Sequence, residues 1–326
     1  MSKVLVIDNG GGIGNRMQSM LSGLYFRDKY NFTKTYLTWR YQWTWMAYYK
    51  DLLAPSPEYE LIDESDLGYP PCIWQTGAIY PPELKEEDYK IMIPRDQQFK
   101  EEDMISAQAV ILRKSGVYSK ISNEETYRII RNYFPKPSTK LSNNINLFLD
   151  SHGLETDKYL GVHMRRTDKI GFGPSDDYYI SEIKRYLDNE GSKVFLCSDD
   201  PKSENKLKKM FPNNVFVRKK PENSEAVPFV GQFKNFDPNR NKVPFSKEID
   251  DKLEQMIPRT GSNPPEWWIK ERDINSGRMM YNIYRSRLHV IEAVTDFFIL
   301  SRSSRILNSL GTFYDMANCI SKSRKL

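Results

Sequence analysis

The chain opens on an apolar run, Val4-Leu5-Val6-Ile7, and turns polar at Asp8 and Asn9 before a cluster of glycines. Behind the glycines, Met17, Met20, Leu21 and Leu24 recur at i, i+3, i+4 and i+7, which is one face of a helix. Strand, glycine loop and helix in that order predict an α/β beginning. Residues 35–39 read as a second strand and lead into an aromatic-rich stretch up to Tyr49. From about 54 to 100, prolines and polar residues interrupt every period, and only loops and short elements are expected. Residues 109–112 read as a strand. Residues 124–134 and 140–152 read as helices, the second closing at Gly153.

The alternation then restarts. A sharp apolar strand at 159–164 precedes a helix over 177–189, closed by Gly191. A strand at 194–198, a Lys-rich helix ending at Met210 and a strand at 215–217 follow. This β-α-β-α-β order predicts a second Rossmann-like half. A long helix is expected over 282–300, a last strand over 305–308, and a short helix after Thr312. The boundary falls near 153–158, giving an N-terminal domain 1–155 and a C-terminal domain 156–326. A polar, proline-bearing insertion interrupts the second domain at 219–280, and loops of such length in compact domains are usually functional or disordered.

Composition narrows the class. At roughly 150 residues per domain, the 326 residues are enough for two domains with large cores. The balance of 48 Lys+Arg against 43 Asp+Glu gives +5 with no basic block, which argues against a nucleic-acid partner. No apolar run is long enough for a transmembrane segment. The opening apolar run is too short for a signal peptide. Cys72, Cys197 and Cys319 are sparse and lack metal-type spacing, so a reducing, cytoplasmic setting is expected. His152, His163 and His289 are scattered, against a histidine metal site.

Four segments and one tryptophan pair carry candidate chemistry. In Gly10-Gly11-Gly12-Ile13-Gly14-Asn15-Arg16, glycines let backbone N–H groups approach an anion at a helix start. The loop lacks the Gly-Lys-Ser/Thr of a Walker loop, and Asn15 stands where a dinucleotide fingerprint needs its third glycine. The alternative is a tight structural turn. His163-Met164-Arg165-Arg166-Thr167-Asp168-Lys169 sits at the carboxyl end of a strand, the edge where open α/β sheets bind ligands. Adjacent arginines there suit a diphosphate, which guanidinium groups hold bidentately. The alternative is a buried Arg–Asp network through Asp168. Ser198-Asp199-Asp200-Pro201 reads first as a helix cap with proline in the first turn, and second as a metal-binding acid pair. Asp296 interrupts an apolar helix and needs a partner. A carboxylate there could accept from guanine N1–H and N2–H₂, and Ser309-Leu310-Gly311-Thr312 could offer hydroxyl and N–H groups to phosphate, with capping as the alternative. Trp267-Trp268 in the insertion could stack on sugar rings or bury against the body.

Taken together, Gly161-Val162-His163-Met164-Arg165-Arg166-Thr167-Asp168-Lys169, Ser198-Asp199-Asp200-Pro201, the Asp296 helix running through Leu300-Ser301 to Ser309-Leu310-Gly311-Thr312, and the glycine-rich opening resemble the α-1,6-fucosyltransferase and nodulation-type (NodZ-like) fucosyltransferase superfamily, which includes protein O-fucosyltransferases. The resemblance covers about 159–217 and 285–320, and 1–40 more loosely. It implies an α/β, GT-B-like fold of two Rossmann-like domains facing a cleft. The N-terminal domain would lie on the acceptor side and the C-terminal domain would hold the nucleotide. It implies an inverting, metal-independent glycosyltransferase of glycan biosynthesis, using GDP-fucose as donor and no other cofactor. By resemblance, His163 and Asp296 contact guanine, Arg165 and Arg166 hold the diphosphate and fucose, and Thr312 contacts the β-phosphate. Gly12, Gly14, Asn15, Arg16, Ser198, Asp199, Ser309 and Gly311 complete the donor side. Lys169, Asp176, Asp177, Trp267 and Trp268 are assigned to a glycan acceptor. One departure stands out: Gly173 occupies the place of the glutamate that glycosaminyl-specific members carry as suspected base. Asp168, Asp176 or Asp177 would have to replace it. The rival readings are a transferase of this fold using another nucleotide sugar, and a non-catalytic glycan- or nucleotide-binding protein.

Overall fold

The computed structural model describes residues 3–39, 47–63, 89–92, 101–112, 120–166, 173–219, 227–228, 283–284 and 287–326. The first half contains β1 (Val4–Asn9), α1 (Ile13–Lys29), β2 (Lys34–Trp39), α2 (Tyr49–Leu52), β3 (Glu60–Asp63), β4 (Tyr89–Met92), α3 (Glu101–Ser106), β5 (Ala109–Leu112), α4 (Asn123–Tyr133) and α5 (Thr139–His152). Its five strands form a parallel sheet in the order β3-β2-β1-β5-β4. β1 is apolar without alternation because both its faces are covered. Leu5 and Ile7 join the main core, while Val4 and Val6 pack with Tyr36, Ile62, Ala109 and Ile111 on the other face.

β3 and β4 are short elements of the kind expected over 54–100, now identified as strands. They are the two edges of the sheet, each four residues long. Edge strands can be short, and Glu-Leu-Ile-Asp is too brief to show a period.

The second half contains β6 (Leu160–Met164), α6 (Asp176–Asn189), β7 (Val194–Ser198), α7 (Pro201–Met210), β8 (Val215–Phe216), β9 (Val227–Pro228), β10 (Ile283–Tyr284), α8 (Arg287–Ser301), β11 (Arg305–Ile306) and α9 (Thr312–Ser323). Its parallel sheet runs β11-β6-β7-β8. The helix expected over 282–300 starts only at Arg287, because Ile283 and Tyr284, both strand-favouring residues, pair antiparallel with Val227 and Pro228. Beyond those two paired residues, the insertion at 219–280 lies outside the described residues from 220 on.

The two halves are α/β and Rossmann-like, in a GT-B-like arrangement. In each sheet the strand order reverses beside the first strand: β1 lies between β2 and β5, and β6 between β7 and β11. A crevice opens at the carboxyl ends of the strands at such a reversal. The last helix crosses over. α9 packs on α1 and α4 of the first half, and α8 on α5. The main core accordingly joins Leu5, Met17, Ile129 and Leu149 to Phe297, Leu300 and Met316.

Candidate functional site

The glycine loop leaves β1 at the reversal of the first sheet, and the His163–Arg166 segment leaves β6 at the reversal of the second. Their meeting point is tight. A Cβ on Gly14 would lie 2.3 Å from the carbonyl carbon and oxygen of Thr312 and 2.4 Å from the Phe313 nitrogen. The first turn of α1 therefore touches the first turn of α9. Gly311, at φ +97°, makes the turn into α9, and a side chain there would lie 2.8 Å from Nη1 of Arg165. Arg165 thus rests on the peptide entering α9.

These two helices differ from their neighbours at the N-cap. α4, α5, α6 and α7 are capped by Ser122, Ser138, Ser175 and Asp200, each accepting a backbone N–H. α1 and α9 are preceded by Gly12 and Gly311, with no side-chain cap hydrogen bond. Two helix starts with uncapped N–H groups, side by side, together carry partial positive charge. Arg165 adds a full one. Such an arrangement favours a multiply charged anion such as a diphosphate.

Around this point the sequence motifs are drawn together. His163, buried at the end of β6, pairs Nδ1 with Ser309 Oγ at 3.1 Å. Its ring stacks on Phe313 at 4.7 Å and 21°. Phe313 meets Phe297 edge-on at 5.2 Å, and Phe297 adjoins Asp296 on α8. The Asp296 carboxylate is buried and accepts from Arg218 Nη1 at 3.0 Å through Oδ1. Arg218, which carried no signal in the sequence, follows β8.

Other residues expected on the donor side also make internal contacts. Arg16 is fully buried: its Nε donates to the Gly11 carbonyl at 2.8 Å and its guanidinium lies 4.5 Å from the Trp39 ring. It braces the glycine loop from beneath. Asn15 folds over the same loop, its Nδ2 standing 2.6 Å from where a Cβ on Gly11 would be. Ser198 Oγ donates to the Met164 carbonyl at 2.8 Å and its N–H donates to Glu204 at 2.7 Å, tying β7 to β6 and α7. Asp200 accepts from Ser203 N at 3.0 Å and from Lys202 N at 3.2 Å, the capping reading of Asp199-Asp200-Pro201.

Arg166 is built into a network with two acids, Asp199 and Asp176; the expected partner Asp168 lies outside the described residues. Its backbone N–H donates to Asp199 Oδ1 at 2.6 Å. Its guanidinium donates to the Pro174 carbonyl and to Asp176 Oδ1, both at 2.8 Å, and lies 5.4 Å from the Tyr179 ring. Lys206 holds the other oxygen of Asp176 at 2.6 Å. The two arginines are therefore not equivalent. Asp176 is held in this network: the Lys206 hydrogen bond, with Arg166 adding to it, holds its carboxyl below the usual 3.8. A carboxylate so depressed binds a proton poorly. Because the folded value lies below the unfolded one, this brace is fully present above the unfolded value and is lost as pH falls through the folded one. Asp176→Asn is accordingly expected to flatten the fall of the thermal midpoint on acidification below about pH 4; an unchanged acid profile would show that the brace contributes nothing.

Asp177 is exposed on the first turn of α6. Asp168, Lys169, Trp267 and Trp268 lie outside the described residues. Among the described residues, no group of three or more His, Cys, Asp or Glu is placed to hold a metal, and no helix is long and apolar enough to cross a membrane. The sequence reading also missed Asn9. It ends β1 fully buried, and among the described residues neither atom of its side-chain amide has a hydrogen-bond partner. The available signal was a polar residue closing an apolar strand just before the glycines.

No family model and no curated protein matches the chain. Solved structures do. NodZ α-1,6-fucosyltransferase soaked with GDP-fucose is similar over 98% of this chain and 93% of its own, at 14% identity and a TM-score of 0.55. Fucosyltransferase NodZ from Bradyrhizobium is similar over 100% and 93%, at 14% identity and 0.54. An Arabidopsis thaliana FUT1 mutant in complex with GDP is similar over 98% of this chain and 69% of its own, at 12% identity and 0.54. The chain shares the GT-B-like fold of these fucosyltransferases.

Proposed function

We propose that the protein is a glycosyltransferase moving L-fucose from GDP-fucose to a glycan acceptor with inversion, without a metal ion. The observation that carries this reading is the meeting of two uncapped helix starts, α1 and α9, beside Arg165. Support comes from the shared fold with fucosyltransferases whose structures were determined with GDP-fucose or GDP.

The chemistry follows from charge. An acceptor hydroxyl attacks C1 of fucose on the face opposite the phosphate. The bond from C1 to the β-phosphate oxygen breaks and its electron pair leaves with GDP. The hydroxyl proton goes to a carboxylate, for which Asp168 and Asp177 are the candidates. Negative charge grows on the leaving phosphate as the sugar becomes cationic. Arg165 and the N–H groups of α1 and α9, already oriented, stabilise that charge. Guanine lies against the His163–Phe313 layer with Asp296 at its N–H edge. Arg166 acts one step back, holding the connection from β6 to α6 through Asp176 and Asp199. The acceptor occupies the side of the first sheet. The free thiols of Cys197 and Cys319 fit a reducing, cytoplasmic setting.

Two measurements test this. GDP is expected to raise the thermal midpoint and UDP to leave it unchanged; the reverse order would discard the guanine assignment. EDTA is expected to leave transfer from GDP-fucose intact. A strict Mn²⁺ requirement would overturn the metal-free mechanism.

A further inference from the structure

The Asp296 carboxylate is held on one side only. Arg218 Nη1 donates to Oδ1 at 3.0 Å, whereas Oδ2 has no hydrogen bond among the described residues. The side chains of Asp296 and Arg218 are 6% and 11% exposed, so the pair is shielded from water. Arg218 is itself anchored independently of Asp296. Its Nη1 donates to the Glu292 carbonyl at 3.1 Å, and its Nη2 pairs with the Glu292 carboxylate one helical turn before Asp296 on α8.

We propose that Arg218 is the positioning residue for nucleobase selection, holding the Asp296 side chain with one oxygen clamped and the other presented to a purine N–H. This rests on the reading of the site as one for a guanine nucleotide. A buried carboxylate without a counter-charge is costly, and a neutral carboxyl would present a donor where the base also offers donors. Arg218 supplies the counter-charge. Its planar fork reaches three acceptors at once, which a lysine cannot copy. Because Glu292 keeps hold of it, Arg218 stays in place when Asp296 engages a ligand. Guanine offers N1–H and N2–H at the edge a carboxylate reads. Adenine has neither, and its N1 lone pair repels the same oxygen. Arg218 therefore touches no ligand but sets the preference between two purine diphosphates that share every other group of the ribose and phosphates.

The test is calorimetric titration of GDP and ADP into the full chain and into Arg218→Gln, Arg218→Lys and Asp296→Asn, with circular dichroism to check folding. Hydrogen bonds to a charged acceptor predict that the parent prefers GDP by about 100-fold, and Arg218→Gln by less than about tenfold. Arg218→Lys is expected in between. A purely structural role would weaken both nucleotides equally and leave the ratio untouched, and that result overturns the proposal. If Arg218→Gln does not fold, Arg218→Lys decides: a ratio equal to the parent's overturns the proposal. Asp296→Asn separates the two levels. If it collapses the ratio and the Arg218 variants do not, only the positioning role fails. If it leaves the ratio unchanged, the guanine reading fails and the positioning role with it.

Discussion

Replacing Arg165 by alanine is expected to lower fucosyl transfer by about 10²–10³, equivalent to about 3 kcal/mol of lost stabilisation of the developing phosphate charge. The size follows from placement. Arg165 lies against Gly311 at the entrance to α9, where the N–H groups of two helices already converge and no side chain caps them. Removing it takes away the guanidinium that lies against this junction. Arg165→Lys keeps the charge but loses the fork, and is expected to recover only part of the rate. The measurement is kcat and KM for GDP-fucose, together with the Kd of GDP. A drop confined to KM would mean that Arg165 holds substrate and transition state equally. No drop in either would remove it from the diphosphate. Arg166 supplies the contrast. Its partners are Asp199, Pro174 and Asp176, so alanine there acts first on the order of the β6–α6 connection.

Among the glycines of the described residues, Gly14→Ala is expected to be especially damaging, because its added methyl meets backbone rather than side-chain atoms. The added carbon would stand 2.3 Å from the Thr312 carbonyl group and 2.4 Å from the Phe313 nitrogen. These are backbone atoms, so no side chain can rotate aside, and the starts of α1 and α9 have to separate. Overpacking of this kind costs about 1–3 kcal/mol. The larger effect is on binding, since parted helix starts no longer direct their N–H groups at one anion. Gly10→Ala is the control: nothing lies within 4 Å of a Cβ there. Thermal unfolding and GDP titration of the two variants check the argument. A Gly14→Ala protein with the parent's midpoint and GDP affinity would show that the two helices have room to spare.

The parts of the fold legible in the sequence are those written in local chemistry. Glycines after a buried strand place the start of α1, and serines at 122, 138 and 175 and the Asp200-Pro201 pair place the starts of α4 to α7. The parts that were not legible depend on contacts between distant residues. β3 and β4 owe their existence to the strands beside them, and their four residues carry no period of their own. Asp168, two residues from Arg166 in sequence, looked like its natural partner. Among the described residues, its partners are Asp199 from the end of β7 and Asp176 from the first turn of α6, neither of which is near it in sequence. Asp296 announced the need for a partner by sitting in an apolar helix, but nothing local could name Arg218, 78 positions away. Arg16 shows a contact of the same long-range kind: a loop arginine beside glycines suggests an anion ligand, and nothing local announces the Trp39 ring against which it rests.

The path of α9 bears on how the two halves can move. It begins at the crevice of the second sheet and then runs along α1 and α4 of the first. A swing that opened the cleft for product release must either carry α9 with the first sheet, pivoting near Ser309–Thr312, or peel it away and expose Met316 and Ala317. The linker at 153–158 is therefore not the sole axle of the molecule. A second strap runs back across the gap, and the halves are coupled at both ends of the C-terminal sheet's chain.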